Sequence, residues 1–128
     1  MTKKAITQLS YEIVRHAINV HKELGPGLLE SVYVAALTYE IRKLNLNVKV
    51  EVGLPVIYDE TSLGLGFRMD ILVENTVVIE VKSIEALAPV HHKQLLTYLK
   101  LAKLKLGILV NFNVDVIKEH IFRKVNGL

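Results

Sequence analysis

The chain has 128 residues, of which 51% are hydrophobic and 23% charged, and this length predicts a single domain spanning residues 1–128. The apolar fraction excludes an intrinsically disordered chain. The absence of cysteine excludes disulfide scaffolds, zinc ribbons and thiol nucleophiles, so any chemistry must use carboxylates, lysine, histidine or hydroxyl groups. No window approaches the roughly 20 apolar residues of a membrane span, and we predict a cytoplasmic protein with no membrane contact.

The net charge of +3 is distributed unevenly along the chain. Residues 1–89 include nine basic and eleven acidic residues, whereas residues 90–128 include seven basic and two acidic residues. Such an asymmetry is typical of a surface that binds a polyanion. Solvated lysines on amphipathic elements produce the same pattern, so the charge alone leaves both interpretations open.

Two helical patterns begin the chain. Apolar residues at steps of three and four predict a first helix over residues 9–24, with Ser10 as its N-terminal cap. The turn Gly25-Pro26-Gly27 ends this helix, and a second apolar stripe predicts another helix over residues 29–44. The two helices are therefore expected to form a hairpin-like pair.

Alternating apolar and polar residues predict three strands in the middle of the chain. Pro55 indicates that the first of them lies at an edge or a bulge. The predicted strands span residues 48–58, 65–73 and 77–82, with a loop over residues 59–64 and a three-residue connection over residues 74–76.

One helix and two strands complete the chain. Pro89 suits a first helical turn, and the apolar spacing predicts a helix that continues to residue 102. The nearly all-apolar run over residues 106–112 is typical of a strand buried on both faces, and residues 116–125 alternate weakly as a last strand. The order ααβββαββ predicts an α/β or α+β fold with three layers.

Two acidic residues and a lysine lie on adjacent predicted strands. Because side chains alternate along a strand, Glu80 and Lys82 share one face, opposite the apolar face that would pack on a helix. Directly opposed residues of antiparallel strands point to the same side of the sheet. The hairpin register therefore decides whether Asp70 joins Glu80 and Lys82.

Two registers are open to this hairpin. A two-residue turn would place Asp70 opposite Ile79, on the wrong face, whereas a three-residue loop pairs Val73 with Val77 and places Asp70 opposite Glu80. We predict the three-residue loop. An asparagine or threonine in that loop would then adopt the unusual backbone conformation that such turns require.

Converging carboxylates would repel each other. Two like charges ~4 Å apart cost about 4 kcal/mol at an effective dielectric constant of ~20. Lys82 offsets one charge, and a divalent cation with oxygen ligands, Mg²⁺ or Mn²⁺, would offset the rest. Such a site is suited to metal-assisted phosphodiester cleavage. A Glu-x-Lys tripeptide alone is more simply explained as a solvated strand face.

Further polar residues can border this strand site. Gln94 and Tyr98 are four residues apart on the third predicted helix and share a face, and His91 precedes Gln94 by three residues. Glu30 and Tyr33 likewise share a face of the second helix. Taken alone, each of these residues is more simply explained as an ordinary core, rim or surface residue. Together they can surround the acidic pair.

Five short motifs occur in order along the chain. They are Gly27-x-x-Glu30-x-x-Tyr33, Phe67-Arg68-x-Asp70, Ile79-Glu80-Val81-Lys82, Gln94-x-x-x-Tyr98 and Gly107-x-x-x-Asn111-Phe112. Over residues 21–125 this set resembles the GxxExxY family, which is similar to the PD-(D/E)XK nuclease superfamily. The resemblance implies a restriction-endonuclease-like α/β fold: an αβββαβ core with a central mixed sheet flanked by helices, and an extra N-terminal helix.

The resemblance also implies the role of each catalytic residue. Asp70 and Glu80 would be metal ligands, with the carbonyl of Val81 as a third ligand. Lys82 would orient the attacking water or stabilise the charge that develops on the phosphate. Glu30 would be the helical acid that supports the metal or its water.

Substrate contacts are expected from the neighbouring helices. Gln94 and Tyr98 match the Gln-x-x-x-Tyr element of RecB-like nucleases, which lines the site and the nucleic-acid path, and we expect Tyr33 and His91 to contact the substrate as well. The sequence departs from the superfamily where Ser83, instead of an alanine or another small residue, follows the lysine.

We therefore predict a Mg²⁺- or Mn²⁺-dependent nuclease that acts on DNA, with RNA as the second choice, either as a homodimer or within a larger assembly. A module that binds nucleic acid without cleaving it is the main alternative, and a plain interaction domain is a third. The intact acids and lysine favour the enzyme. The small size favours the binding module, because it leaves little room for a substrate-reading subdomain.

Overall fold

Three helices and five strands follow the chain in the predicted order. The computed structural model describes all residues, Met1–Leu128. The helices are α1 (Lys3–Leu24), α2 (Glu30–Arg42) and α3 (Pro89–Ala102), and the strands are β1 (Val48–Tyr58), β2 (Thr61–Val73), β3 (Val77–Lys82), β4 (Leu106–Asn111) and β5 (Ile121–Val125).

The five strands form one mixed sheet in the order β1-β2-β3-β4-β5. Only β3 and β4 pair in parallel, and the other neighbours are antiparallel. A parallel pair needs a crossover connection, which α3 supplies between β3 and β4. This mixed α/β sheet with helices beside it confirms the predicted fold class.

Helices cover both faces of the sheet. The side chains of Val77, Ile79 and Val81 lie in one apolar cluster with residues of α1 and α2, as predicted for that face of β3. Val78 lies in a second cluster with Leu95 and other residues of α3. The central strand β3 therefore lies between two helical layers, and its polar positions Glu80 and Lys82 lie on the α3 side of the strand.

The first helix begins earlier than the sequence pattern suggests. Thr2 caps α1, because its Oγ1 accepts a hydrogen bond of 3.0 Å from the backbone N–H three residues later. Ser10 is instead buried within the helix, where its hydroxyl donates to the carbonyl of Thr7 and accepts a hydrogen bond from Nε of Arg123. The prediction that Ser10 is the cap is therefore wrong.

The hairpin of β1 and β2 is longer than predicted. The expected loop over residues 59–64 is wrong, because Thr61 already pairs with Tyr58 and only Asp59 and Glu60 connect the strands. Both connecting residues have positive φ, 51° and 59°, which suits a two-residue hairpin turn. As predicted, Pro55 lies in an edge strand at a register shift.

The last predicted strand is confirmed only in its second half. Ile117–His120 form a short 3₁₀ helix, and β5 begins at the next residue. None of the three α-helices combines the length and the apolar character that a membrane crossing requires.

Candidate active site

The connection between β2 and β3 sets the register of the acidic residues. Val73 pairs with Val77, which confirms the predicted three-residue loop. Asn75 adopts positive φ, 50°, as expected of an asparagine in this position, and Glu74 does so as well, at 52°. The last residues that pair are Ile71 and Ile79, and one residue beyond them Asp70 lies beside Glu80.

The two acids lie where β2 and β3 separate. The paired ladder ends at Ile71 and Ile79, and beyond it the side chains take the place of the missing backbone partners. Oε1 of Glu80 accepts a hydrogen bond of 3.2 Å from the N–H of Asp70, and Oδ2 of Asp70 accepts one of 2.8 Å from the N–H of Val81. The second oxygen of each carboxyl group accepts no hydrogen bond from a backbone N–H.

Burial makes both carboxyl groups hold their protons more tightly. Only 5% of Glu80 is exposed, and burial, followed by the neighbouring Asp70 charge, raises the pKa of Glu80 to about 8. Burial also raises the pKa of Asp70, although its hydrogen bond from Val81 and the charge of Lys82 oppose that shift. Near neutral pH Glu80 therefore keeps its proton in the folded protein.

The donor set of this pair fits a hard divalent cation. The ion pairs of the structure lie elsewhere, within α1 and at the end of α2, so neither Asp70 nor Glu80 contacts a cationic side chain. A buried pair of acids without a contacting cation is electrostatically costly, and free carboxylate oxygens are ligands that Mg²⁺ prefers. No group of three His, Asp or Glu side chains is assembled for a metal ion, so the side chains alone offer two ligands.

Glu30 reaches the same site from the beginning of α2. Its Oε2 accepts a hydrogen bond of 3.3 Å from the N–H of Ser83, and the Ser83 hydroxyl donates to the carbonyl of Leu28 at 2.6 Å. The charge of Glu30 also contributes to the raised pKa of Asp70. Ser83, which follows Lys82 directly, therefore ties the beginning of α2 to the end of β3.

Tyr98 borders the site from α3. Its ring stacks on Phe67 with 4.7 Å between ring centroids, and burial, followed by the charges of Glu80 and Asp70, raises the pKa of its phenol. Gln94 lies one turn earlier on the same helix and is exposed. Tyr98 is thus close to the acidic pair, and Gln94 is free to contact a ligand.

His91 has a structural contact of its own. Its Nδ1 accepts a hydrogen bond of 2.9 Å from the N–H of Ala88, which satisfies a backbone donor at the beginning of α3. In the neutral imidazole the proton then lies on Nε2, and this nitrogen alone remains available to a ligand.

Tyr33 is in the core and not at the surface. Its side chain is completely buried, and its ring stacks on Phe112 at a centroid distance of 4.4 Å. The hydroxyl donates to the carbonyl of Gly25 at 2.6 Å and accepts a hydrogen bond from the N–H of Leu28. The expected substrate contact of Tyr33 is therefore corrected: this residue positions the loop that precedes Glu30.

Removing this hydroxyl should destabilise the protein. A Tyr33→Phe variant keeps the ring stack but leaves the carbonyl of Gly25 and the N–H of Leu28 without their partner, and we expect a loss of about 1–2 kcal/mol in the free energy of unfolding. Urea unfolding measures this loss of stability. Tyr11→Phe, at an exposed position, is the matched control, and equal midpoints for the two variants would contradict the assigned role.

Asn111, in the fifth sequence motif, has a structural role at the end of β4. The residue is 1% exposed, its Oδ1 accepts a hydrogen bond from the N–H of Ile84, and its Nδ2 donates to the carbonyl of Ile84. It thereby holds the segment that follows Lys82. The signal in the sequence is a polar residue at the end of an otherwise apolar strand.

Comparison with known proteins identifies the family of this chain. A family model described as the PD-(D/E)XK nuclease superfamily matches residues 7–124, from α1 into β5. The chain belongs to the PD-(D/E)XK nuclease superfamily. Members of this superfamily are usually nucleases and generally use a divalent metal ion, and membership identifies no substrate.

A solved structure gives a second comparison for this superfamily member. The crystal structure of SSO0001 superimposes with a TM-score of 0.56 at 26% sequence identity, over 96% of this chain and 63% of that chain. The chain therefore spans less than two thirds of that protein's length. No protein of curated function matches the chain.

Proposed function

We propose that this domain, spanning residues 1–128, is a Mg²⁺-dependent nuclease that hydrolyses phosphodiester bonds of DNA, with Mn²⁺ and RNA as the second choices of ion and substrate. The observation that carries the proposal is the pair of the buried Glu80 and the partly buried Asp70 at the separation of β2 and β3, with no cationic side chain in contact. Superfamily membership supports the same chemistry.

A metal ion would be held by the free oxygens of Asp70 and Glu80, with the carbonyl of Val81 as the third protein ligand. When bound, the ion supplies a Lewis acid for a phosphate oxygen and for water. Its charge would also favour the ionised form of both acids, whose pKa values burial raises in the protein alone.

The remaining residues of the site act on the substrate and on water. The ammonium group of Lys82, next along β3, orients the attacking water or stabilises the negative charge that develops on the phosphate. Glu30 supports the metal or its water from the beginning of α2. In the reaction the water oxygen bonds to phosphorus while the bond to the leaving oxygen breaks, and that oxygen takes up a proton.

Residues of α3 would lie along the nucleic-acid path. Gln94 and Tyr98 are proposed to line it, together with Nε2 of His91. The five motifs support assignment to the GxxExxY group within the superfamily. A cytoplasmic location, and a homodimer or a place in a larger assembly, remain part of this proposal.

A cleavage assay tests the proposed function. Metal-stripped protein is incubated with labelled single-stranded DNA, duplex DNA and RNA, with Mg²⁺, Mn²⁺ or EDTA. We expect cleavage only with metal, and a loss of about 100-fold or more in Asp70→Asn, because the amide removes a charged ligand from the site.

Asp115→Asn, at an exposed position outside the site, is the matched control and should cleave like the original protein. Equal cleavage by Asp70→Asn would overturn the site. Salt-sensitive binding without cleavage would favour the non-cleaving, nucleic-acid-binding alternative.

A further inference from the structure

A groove runs from Asp70 along the outer side of α2. It lies between α2 and the edge strand β1, has a volume of about 860 Å³, and is open at the Asp70 end to the candidate active site. Cavities of about 300–1,000 Å³ are the usual size of ligand sites. We call it the α2–β1 groove, and the residues used below are Val34, Ala35, Thr38, Arg42, Lys43 and Val50.

The lining of the α2–β1 groove includes a hydroxyl group that lacks a partner. Thr38 is 4% exposed, and its Oγ1 has no hydrogen bond in the protein. Buried polar groups almost always have partners, because leaving one unsatisfied is costly. The apolar side chains of Val34, Ala35 and Val50 line the same groove. A flat group with an apolar face and a polar edge would fit these surroundings.

The charges differ between the two ends of the groove. Glu30 and Asp70 lie at one end, and Arg42 and Lys43 lie at the other, about 18 Å further along α2 at the usual helical rise. Nζ of Lys43 is paired with Glu40 at 3.0 Å, and Glu51 of β1 also lines the groove. One guanidinium nitrogen of Arg42 donates to the carbonyl of Val48, which leaves other N–H donors for an anion. An apolar wall thus joins an acidic end of the groove to a basic end.

We propose that the α2–β1 groove binds an unpaired segment of the substrate strand, with a base against the apolar wall, its polar edge near Thr38, and a following phosphate beside Arg42 and Lys43. The proposal deepens the proposed function, on which it rests, by naming the substrate class as single-stranded ends or flaps. A base within a duplex has both its faces and its pairing edge covered, so only an unpaired base can enter such a groove.

Binding in the absence of cleavage tests the groove. Anisotropy of a fluorescein-labelled 15-nucleotide single strand is compared with the same strand in a blunt duplex, with Ca²⁺ in place of Mg²⁺ to suppress hydrolysis. We expect the single strand to bind about 10-fold more tightly or better. Ala35→Leu, which fills the groove from an exposed position, should weaken single-strand binding by about 10-fold and leave duplex binding unchanged.

Two further variants separate the two parts of the groove. Thr38→Val should weaken single-strand binding several-fold without lowering the unfolding midpoint, because its hydroxyl has no partner in the protein. Lys43→Gln should reduce the slope of log affinity against log salt concentration by about one. Lys22→Gln, in α1, should leave that slope unchanged.

Ala35→Leu must keep the unfolding midpoint of the original protein, which shows that the filled groove is otherwise folded. Equal affinity for single strand and duplex, no effect of Ala35→Leu, or no binding of either would overturn the proposal. Preference for single strands in a protein that never cleaves with Mg²⁺ or Mn²⁺ would support the groove and overturn only the nuclease activity.

Discussion

A Lys82→Met variant is expected to lose cleavage by about 100- to 1,000-fold while it still folds and is still stabilised by Mg²⁺. Lys82 supplies positive charge beside Asp70 and Glu80 without contacting either carboxyl group, so its loss should affect the reacting phosphate more than the metal ligands. Methionine keeps the apolar stem of the side chain and therefore its packing. Cleavage rates, together with the unfolding midpoint with and without Mg²⁺, measure both effects.

Lys22→Met makes the same substitution at an exposed position of α1 and should leave the cleavage rate unchanged. Lys82→Arg keeps the positive charge but places it on a planar guanidinium group, and it should cleave faster than Lys82→Met and more slowly than the original protein. A Lys82→Met variant that cleaves as fast as the original protein would show that the metal site works without this lysine, and would remove Lys82 from the proposed mechanism.

Glu80→Gln is expected to stabilise the metal-free protein at pH 8 and to abolish most of its stabilisation by Mg²⁺. The pKa of Glu80 is raised to about 8 in the folded protein, so at that pH folding must either bury a charge or hold a proton that the unfolded chain has released. Glutamine resembles the protonated acid and can still accept the N–H of Asp70. It carries no charge for a metal ion.

The pH dependence has a definite sign. Below the unfolded pKa, near 4.5, Glu80 is protonated in both states and no penalty exists. Between that pH and about 8 the folded protein holds a proton that the unfolded chain has lost, so the free energy of unfolding falls as pH rises, by about 1.4 kcal/mol per pH unit at the steepest. Above about 8 the dependence levels off.

Urea unfolding in EDTA at pH 5.5, 6.5, 7.5 and 8.5 measures this slope. Asp70 contributes in the same direction because its pKa is also raised, so Glu80→Gln should reduce the slope and leave part of it. Glu23→Gln, exposed on α1, should keep the original slope. Identical slopes in Glu80→Gln and Glu23→Gln would contradict the buried, proton-holding state of Glu80.

The arrangement of the acidic residues was largely predictable from the sequence. Alternation along β3 places Glu80 and Lys82 on one face, and a three-residue loop that pairs Val73 with Val77 brings Asp70 opposite Glu80. Both inferences depend on the alternation of side chains between the two faces of a strand. The confirmed pairing of Val73 with Val77 shows that this alternation and the loop length were enough to predict the register.

Features that depend on tertiary packing were not predictable in this way. Tyr33 has the spacing of a core residue and also the chemistry of a substrate contact, and only the position of the loop over residues 25–28 decides that its hydroxyl is occupied. Thr2 and Ser10 have the same capping chemistry, so the sequence could not distinguish them. The α2–β1 groove arises from the distance between a helix and an edge strand, which no spacing along the chain records.

The hydrogen bonds at the separation of β2 and β3 have an energetic consequence for ion binding. Because Asp70 and Glu80 are each held by a backbone N–H of the opposing strand, their side-chain torsions are already restricted in the folded protein. Ordering a free glutamate side chain costs as much as about 1.5–2 kcal/mol of conformational entropy, and here folding has met that cost before any ligand arrives. An ion that enters this site therefore has no carboxylate to immobilise, and its affinity reflects coordination, desolvation and the release of the Glu80 proton.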